Sequence, residues 1–448
     1  MTKRPNELNA IDALAAIAAG HLTAEALTRA CSERIAERDT LVRAFVGFDP
    51  VRALAEARAC DRSVSRGPLR GLPIGVKDII DTHDMPTQCG SPIYAGHRPP
   101  NDAACVALAR EAGAVMLGKT VTTEFALRHP GPTANPRNPA HTPGGSSSGS
   151  AAAVADFMVP VAFGTQTGGS IIRPASYCGV VGYKPSHNTI NPTGVKPLAA
   201  SFDTVGLFAR SVDDCALVVG VVSGWLGPGT ANAPPPALLE ALRPSRIGLC
   251  RTHAWPDAEP ATVRAVESAA EQLREAGIVV DDVELPDEFA GFLDAQGDVL
   301  RFEAARVFAF ERTRHPDLLS LSSRTELAVG WALQRSRYLE AQALIARCRS
   351  LFAAAIAPYD LLLGASAQGE APIGLHNTGE AMFNRLTSGL GVPCLSLPGY
   401  AGPNGLPVGV QVIGAMEDDV RLLRAAKWIA ECMGDWGDSG SGGDLGSE

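Results

Sequence analysis

Short apolar runs alternate with segments of helical spacing along most of this chain, and that alternation is what most narrows the folds open to it. The runs Leu72 to Ile80, Ala114 to Leu117, Ile247 to Cys250 and Ile278 to Val283 have the length and composition of buried strands. Between them, Ala103 to Glu111 and Ala261 to Ala276 read as helices. Near the N-terminus Ile11, Leu14 and Ile17 share one helical stripe, and Leu27, Cys31 and Ile35 share another behind the cap-like Thr23. These helices pack on a core built later in the chain. The rhythm predicts an α/β sheet covered on both faces.

At 448 residues with 46% hydrophobic and 19% charged residues, the chain has enough apolar content for a large core and is not disordered as a whole. Its 39 basic against 48 acidic residues give a net charge of −9, the opposite of what a phosphate-backbone binder needs, so nucleic acid is not an expected ligand. The 10 cysteines are scattered without a C-x-x-C pair, as in the reduced thiols of a cytoplasmic protein. Neither the polar first residues nor the longest apolar stretch, Cys215 to Leu226, provides a signal peptide or a membrane span. Gly227 to Pro236 reads as a long surface connection, and Gly434 to Glu448, made largely of Gly, Ser and Asp, as a disordered tail.

Chemistry is concentrated between His141 and Pro185. Gly144-Gly145-Ser146-Ser147-Ser148-Gly149-Ser150 would pass for a flexible linker, yet it runs straight into Ala151 to Ala155, a helix opening whose free N–H groups favour negative charge. A second unit, Gly164 to Ser170, follows the strand-like Met158 to Phe163. Glycines just before a serine let successive backbone N–H groups turn toward one point, as an oxyanion hole requires. A nucleophilic serine also needs a base, and none of the histidines stands in a nucleophile-elbow context. Lys77, inside Gly71 to Ile80, is placed among apolar neighbours that would strip its hydration. Holding it neutral near physiological pH takes about 4 kcal/mol of destabilisation of the charged form. The competing reading is a lysine that ends a strand and reaches back to solvent.

These stretches, with Gly405 to Gln411, resemble the landmarks of the amidase signature family over about residues 65 to 430. The resemblance implies a Ser-cisSer-Lys triad: Ser170 as acyl-enzyme nucleophile, Ser146 as proton relay across a cis Gly145–Ser146 peptide, and Lys77 as base. It implies an oxyanion hole at Thr167, Gly168, Gly169 and Ser170, and a substrate site near Arg173, Thr165 and Gly145. It further implies one large α/β/α domain around a mixed, twisted sheet. That domain would cover residues 1–433, with N-terminal helices over 1–66, a catalytic core over about 67–215 and a C-terminal part over about 245–433. The activity implied is cleavage of a small amide, ester or carbamate, with rate rising to an alkaline plateau as Lys77 loses its proton. Family members are often homodimers, and the N-terminal helices are candidates for such an interface.

The chain departs from the commoner pattern after the nucleophile, Ser-Ile-Arg-x-Pro-Ala with Asp two residues before Gly-Gly-Ser. It has Ser170-Ile171-Ile172-Arg173-Pro174-Ala175 and Gln166, a form that resembles the malonamidase branch. There the matching Arg173 would hold a substrate carboxylate; alternatively it only ties down its loop. A second enzymatic reading is the amidase component of a tRNA-dependent amidotransferase, which needs a partner to receive ammonia, and a third is an inactive amidase-like binding protein. Gly113 to Thr120 matches a nucleotide-loop pattern, but its central residues are apolar and read as a strand, so no nucleotide cofactor is expected. His83, His97, His129 and His141 lack metal-ligand spacing, so no metal is expected either. The acyl pocket is expected to draw on Phe302 to Asn384, where Leu318 to Leu321 and Trp331 to Tyr338 are either a lid or pocket wall or, the commoner case, the faces of ordinary amphipathic helices.

Overall fold

The computed structural model describes residues 3–63, 67–225 and 240–434. The connection expected over Gly227 to Pro236 and all but the first residue of the expected tail lie outside these. The strands are β1 (Phe45–Phe48), β2 (Pro73–Lys77), β3 (Val115–Thr120), β4 (Val161–Gln166), β5 (Val181–Lys184), β6 (Thr204–Ala209), β7 (Arg246–Cys250), β8 (Val279–Val283), β9 (Leu361–Ala365), β10 (Cys394–Ala401) and β11 (Pro407–Ile413). They form one 11-stranded sheet in the order β1-β3-β2-β4-β6-β5-β10-β11-β9-β7-β8. The sheet is mixed. β2 runs parallel to β3 and β4, and β7 parallel to β8 and β9, while the pairs between these groups are antiparallel.

The α-helices are α1 (Ala10–Ala18), α2 (Ala24–Val42), α3 (Pro50–Arg62), α4 (Ala104–Glu111), α5 (Ser148–Ala155), α6 (Ile172–Cys178), α7 (Val212–Val222), α8 (Pro260–Glu275), α9 (Phe292–Val307), α10 (Ala309–Arg314), α11 (Leu321–Ala332), α12 (Arg335–Ile356), α13 (Met382–Leu390) and α14 (Asp419–Met433). Side-chain alternation sorts them onto the two faces of the sheet. Val161 and Phe163 of β4 and Leu207 of β6 pack in one apolar cluster with α4, α7, α8 and α14. Ala162 and Phe208, the residues between, pack in another with α2, α5, α6 and α12. Covering both faces explains why the central strands are apolar throughout.

Thr23 caps α2 as its sequence suggests, its side chain accepting from the Ala26 N–H at 3.0 Å. The apolar stretch from Cys215 belongs to α7, buried against the sheet. No helix among the described residues is long and apolar enough to cross a membrane. Two strand boundaries differ from the sequence reading. β4 starts at Val161 and not at Met158, directly after Pro160, which has no N–H to give to a ladder. β2 stops at Lys77, where the Ile80 N–H turns back to the Lys77 carbonyl at 2.9 Å.

Candidate active site

β2 and β4 lie side by side and parallel, with Val76 opposite Phe163, so both carboxyl ends open on the same edge of the sheet. In an open α/β sheet this edge is where a ligand crevice forms. Lys77 is the last residue of β2, and the chain leaving β4 passes through 167–170 before entering α6.

The Gly/Ser loop closes the edge from the side, and its serines are fastened one by one. Ser148 Oγ donates to the Gly144 carbonyl at 2.7 Å, Ser147 Oγ to the Thr165 carbonyl at 3.2 Å, and Ser150 Oγ to the Phe163 carbonyl at 2.9 Å. Residues 142–155 are buried without interruption, so the segment is a packed entry to α5 and not a linker. Gly144 has φ +82, and a Cβ there would fall 2.9 Å from Pro174 Cα; no other residue type fits both conditions. The Gly145–Ser146 peptide is cis.

Lys77 Nζ lies 2.7 Å from both Ser146 Oγ and Thr165 Oγ1, with the side chain fully buried. Burial pushes its ammonium well below the ordinary lysine range, and Asp203 pulls weakly the other way. Asp203 is itself raised to about 6 by burial, against the hydrogen bonds it accepts from Thr167 Oγ1 and the Leu198 and Ala199 N–H groups. Lys119, on the neighbouring β3, makes the contrast plain. It is also buried, but it donates to the Ile80 carbonyl and Thr87 Oγ1 and has Asp78 at 3.8 Å, partners that suit a cation. Among the described residues Lys77 has only hydroxyls. The segment that mimics a nucleotide loop is thus strand β3, with its lysine inside the core.

Ser146 and Ser170 open onto one cavity of about 120 Å³ that Thr167, Gly168, Gly169 and Arg173 also line. The hydroxyl of Ser170 and the N–H groups of Gly168, Gly169 and Ser170 have no hydrogen-bond partner among the described residues. Three successive donors are therefore free beside a free hydroxyl. The loop that carries them is held from behind. Gln166 Oε1 accepts from the Ile171 and Ile172 N–H groups at 2.9 and 3.0 Å, its Nε2 donates to Ser388 Oγ, and Ser388 Oγ donates to the Gly168 carbonyl. Gln166 thereby satisfies N–H groups at the start of α6 that would otherwise lack acceptors, as an uncharged residue.

Arg173 is 7% exposed and gives its terminal nitrogens to backbone and hydroxyl: Nη1 to the Gly379 carbonyl, Nη2 to the Gly145 carbonyl and Thr378 Oγ1. Of the other residues expected at the substrate, Thr165 and Gly145 are not among those lining the cavity. Thr165 sits behind Lys77, and Gly145 is turned toward Arg173.

The far wall was not readable from sequence in detail. It comprises Gln296, Gly297, Leu300 and Arg301 of α9, Glu326 of α11, residues 378–381 and Arg385 of α13. Part of it falls within Phe302 to Asn384 as expected, but Leu318 to Leu321 and Trp331 to Tyr338 do not line it. Leu321 and Trp331 face outward at 73% and 53% exposure, Trp331 beneath the Arg312 guanidinium at 4.1 Å. Periodicity tells which residues of a helix share a face, not which face meets a cavity. Among the described residues one triplet, His83, Asp84 and Asp102, has donor atoms close enough for a metal. Its carboxylates are already paired with Arg52 and Arg110 at 2.8 to 3.1 Å, so fixed cations fill that role.

The family model described as Amidase matches residues 26–423. The chain belongs to the amidase signature family. Its relatives include a glutamyl-tRNA(Gln) amidotransferase subunit from Chloroflexus aurantiacus, 35% identical over 94% of this chain and 95% of that protein. The corresponding protein of Methylococcus capsulatus, which bears the same name, is 33% identical over 94% and 97%. In three dimensions the amidase-family fold recurs in the peptide amidase of Stenotrophomonas maltophilia, with a TM-score of 0.80, 31% identity and coverage of 95% of this chain and 96% of that one.

Proposed function

We propose that the chain hydrolyses a small amide through an acyl-enzyme on Ser170, with Ser146 relaying the proton to a neutral Lys77. The observation that carries this is the buried Lys77 Nζ, 2.7 Å from Ser146 Oγ, at a cavity where Ser170 stands beside three unbonded N–H groups. Ser170 Oγ attacks the carbonyl carbon as its proton passes to Ser146 Oγ, whose own proton goes to the lone pair of Lys77. The amides of Gly168, Gly169 and Ser170, together with that of Thr167, receive the oxyanion; a donor of this kind is worth about 3 kcal/mol in the transition state. The same relay run backwards protonates the departing amine, and water then releases the acid. Arg173 acts as a brace in this reading, since its terminal nitrogens are spent on Gly145 and the 378–379 turn. Esters and carbamates meet the same chemistry.

A second reading concerns where the ammonia goes. The amidotransferase names of the curated relatives speak for a chain that works with a partner more directly than for one that works alone. The outward-facing Phe310, Leu321 and Trp331, each more than half exposed, would be covered in such an assembly. Both readings share the Ser170 chemistry. The test is release of ammonia, or of the arylamine from the anilide and carbamate, from a panel of malonamate, a neutral aliphatic amide, an aryl anilide, an aryl carbamate and glutamine, by the purified chain and by Ser170→Ala. Release by the wild type alone supports the free-standing enzyme. Release only from glutamine, and only with partner proteins added, supports the second reading, and equal rates in Ser170→Ala would sink both.

A further inference from the structure

The wall opposite Ser170 carries more positive charge than it can neutralise. Four arginines line the cavity, Arg128, Arg173, Arg301 and Arg385, against Glu326 and Glu380. Glu326 takes Arg301 Nε at 2.9 Å, and Glu380 reaches the exposed Arg128 only at 4.0 Å. Arg385 has no carboxylate within ion-pairing distance among the described residues. Its Nε donates to Gln296 Oε1 at 2.8 Å and its Nη2 to the Leu293 carbonyl, leaving Nη1 unengaged. Gln296 in turn donates to the Thr167 carbonyl at 3.1 Å, and the stem of Arg385 rests against Gly168. The side chain is thus fixed relative to the loop that holds the free amides.

Two of these like charges converge. A Cβ placed on Gly297 would lie 2.6 Å from Arg385 Nη2 and 3.4 Å from Arg301 Nη1, so the two guanidinium groups stand side by side over that glycine of α9, with Arg385 Nη1 the nitrogen left unengaged. Neither terminal nitrogen of Arg301 has a partner among the described residues. Burial and the neighbouring Arg301 and Arg128 all disfavour the charge on Arg385. Guanidinium groups keep their proton, Asp294 and Glu380 offset the repulsion only in part, and an anion between the two arginines would relieve it further.

We propose that Arg385 and Arg301 together form the subsite for a carboxylate on the substrate, so that the chain selects small amides bearing an acid group. This rests on the Ser170 reading for its catalytic consequence, but the anion subsite exists independently of turnover. A carboxylate there receives charge-assisted hydrogen bonds from Arg385 Nη1 and the Arg301 terminal nitrogens, and these need planar donors that a lysine would not reproduce. Gln296 couples the subsite to Thr167, so that occupancy bears on the position of the amide loop.

The test has two parts. Succinate and propionate, which have no amide to cleave, are titrated calorimetrically into the full-length chain and into Arg385→Gln, Arg385→Lys and Arg301→Gln. Each chain is checked by thermal unfolding. The expected result is binding by the wild type, at least tenfold weaker in Arg385→Gln and Arg301→Gln and only partly restored by Arg385→Lys. Separately, kcat/KM is compared for malonamate and succinamate against propanamide and butanamide. The acid-to-neutral ratio should be large in the wild type and fall at least tenfold in Arg385→Gln, through KM more than kcat. Absence of carboxylate binding, or binding that the folded variants leave unchanged, overturns the proposal. Should Arg385→Gln fail to fold, Arg301→Gln, whose side chain is a third exposed, carries the same test. Carboxylate binding without any Ser170-dependent turnover would uphold the subsite and overturn the hydrolase reading instead.

Discussion

The floor and the far wall of the cavity are built in opposite ways. On the floor, Lys77, Ser146 to Ser150, Gln166 and Arg173 are almost wholly buried, and nearly all their polar groups meet a protein partner, some nearby in the chain and some on the distant 378–388 segment. On the wall, Arg301 and Arg385 are held at one end and open at the other. Chemistry that moves protons through short, dry contacts needs fixed geometry, whereas recognition needs donors still vacant when the substrate arrives.

That contrast breaks most visibly at Ser170. Ser170→Ala should cost amide turnover on the order of 10⁶-fold, as loss of a nucleophile that works in concert with its base does. The unfolding midpoint should stay put, because the hydroxyl makes no hydrogen bond among the described residues. Rate and calorimetric melting measured on the same preparation decide it. Lys77→Met, which keeps the stem and removes the amine, should lose about 10⁴-fold in kcat by analogy with other triads. Midpoint loss comparable to that of a core cavity mutant would instead make Lys77 a packing residue.

Next in size is the support of the loop. Gln166→Ala removes the one oxygen that accepts two N–H groups at the start of α6 and should cost about 1 to 2 kcal/mol of stability, the range of a lost helix cap. kcat should fall with it, while Gln166→Glu, which keeps the acceptor, retains most of the stability; urea melts beside turnover separate the two. The pH profile sharpens the picture further. Protonated Lys77 cannot accept from Ser146, so rate should fall as pH drops through the lysine's depressed pKa. Asp203 favours the protonated lysine, so Asp203→Asn should move this acid limb to lower pH. A limb that stays in place would mean that another group sets it. The smallest effect belongs to the wall. Glu326→Gln frees Arg301 of a partly exposed pair worth up to about 1 kcal/mol and should change KM by about fivefold or less with kcat held.

The same division explains what could be read from the sequence. The floor is written in contiguous motifs, because closely approaching backbones demand glycine and the hydrogen bonds are made by neighbouring serines. Lys77 stood out because a charge inside an apolar run is rare. The double-faced sheet was legible from apolar strands, though β1, β5, β6, β9 and β10 were not singled out and β11 was noticed only as a glycine-containing motif. Gln296, Arg301, Glu326 and Arg385 lie on amphipathic helices, where a polar residue turned to a cavity is spaced like one turned to solvent. Of the two readings open for Leu321 and Trp331, the amphipathic helix holds: they face out while their helix buries Leu327. Gln166 was visible as a departure, but its use as a cap could be seen only once α6 was placed against β4.

Several contacts that hold the amide loop reach across most of the chain: Gln166 to Ser388 and Arg173 to Gly379 are more than 200 residues apart. A ribosome-bound chain that has emerged only as far as α7 already contains Lys77, Ser146 and Ser170 with the serine contacts to β4, yet it lacks the 378–388 segment that braces the amide loop from behind. On the proposed mechanism these groups would become competent only when α13 docks. During refolding, amide cleavage should lag behind the return of helical signal, since contacts of such long sequence separation form slowly. On that reading a nascent chain would be spared from attacking carbonyls before the far wall is present.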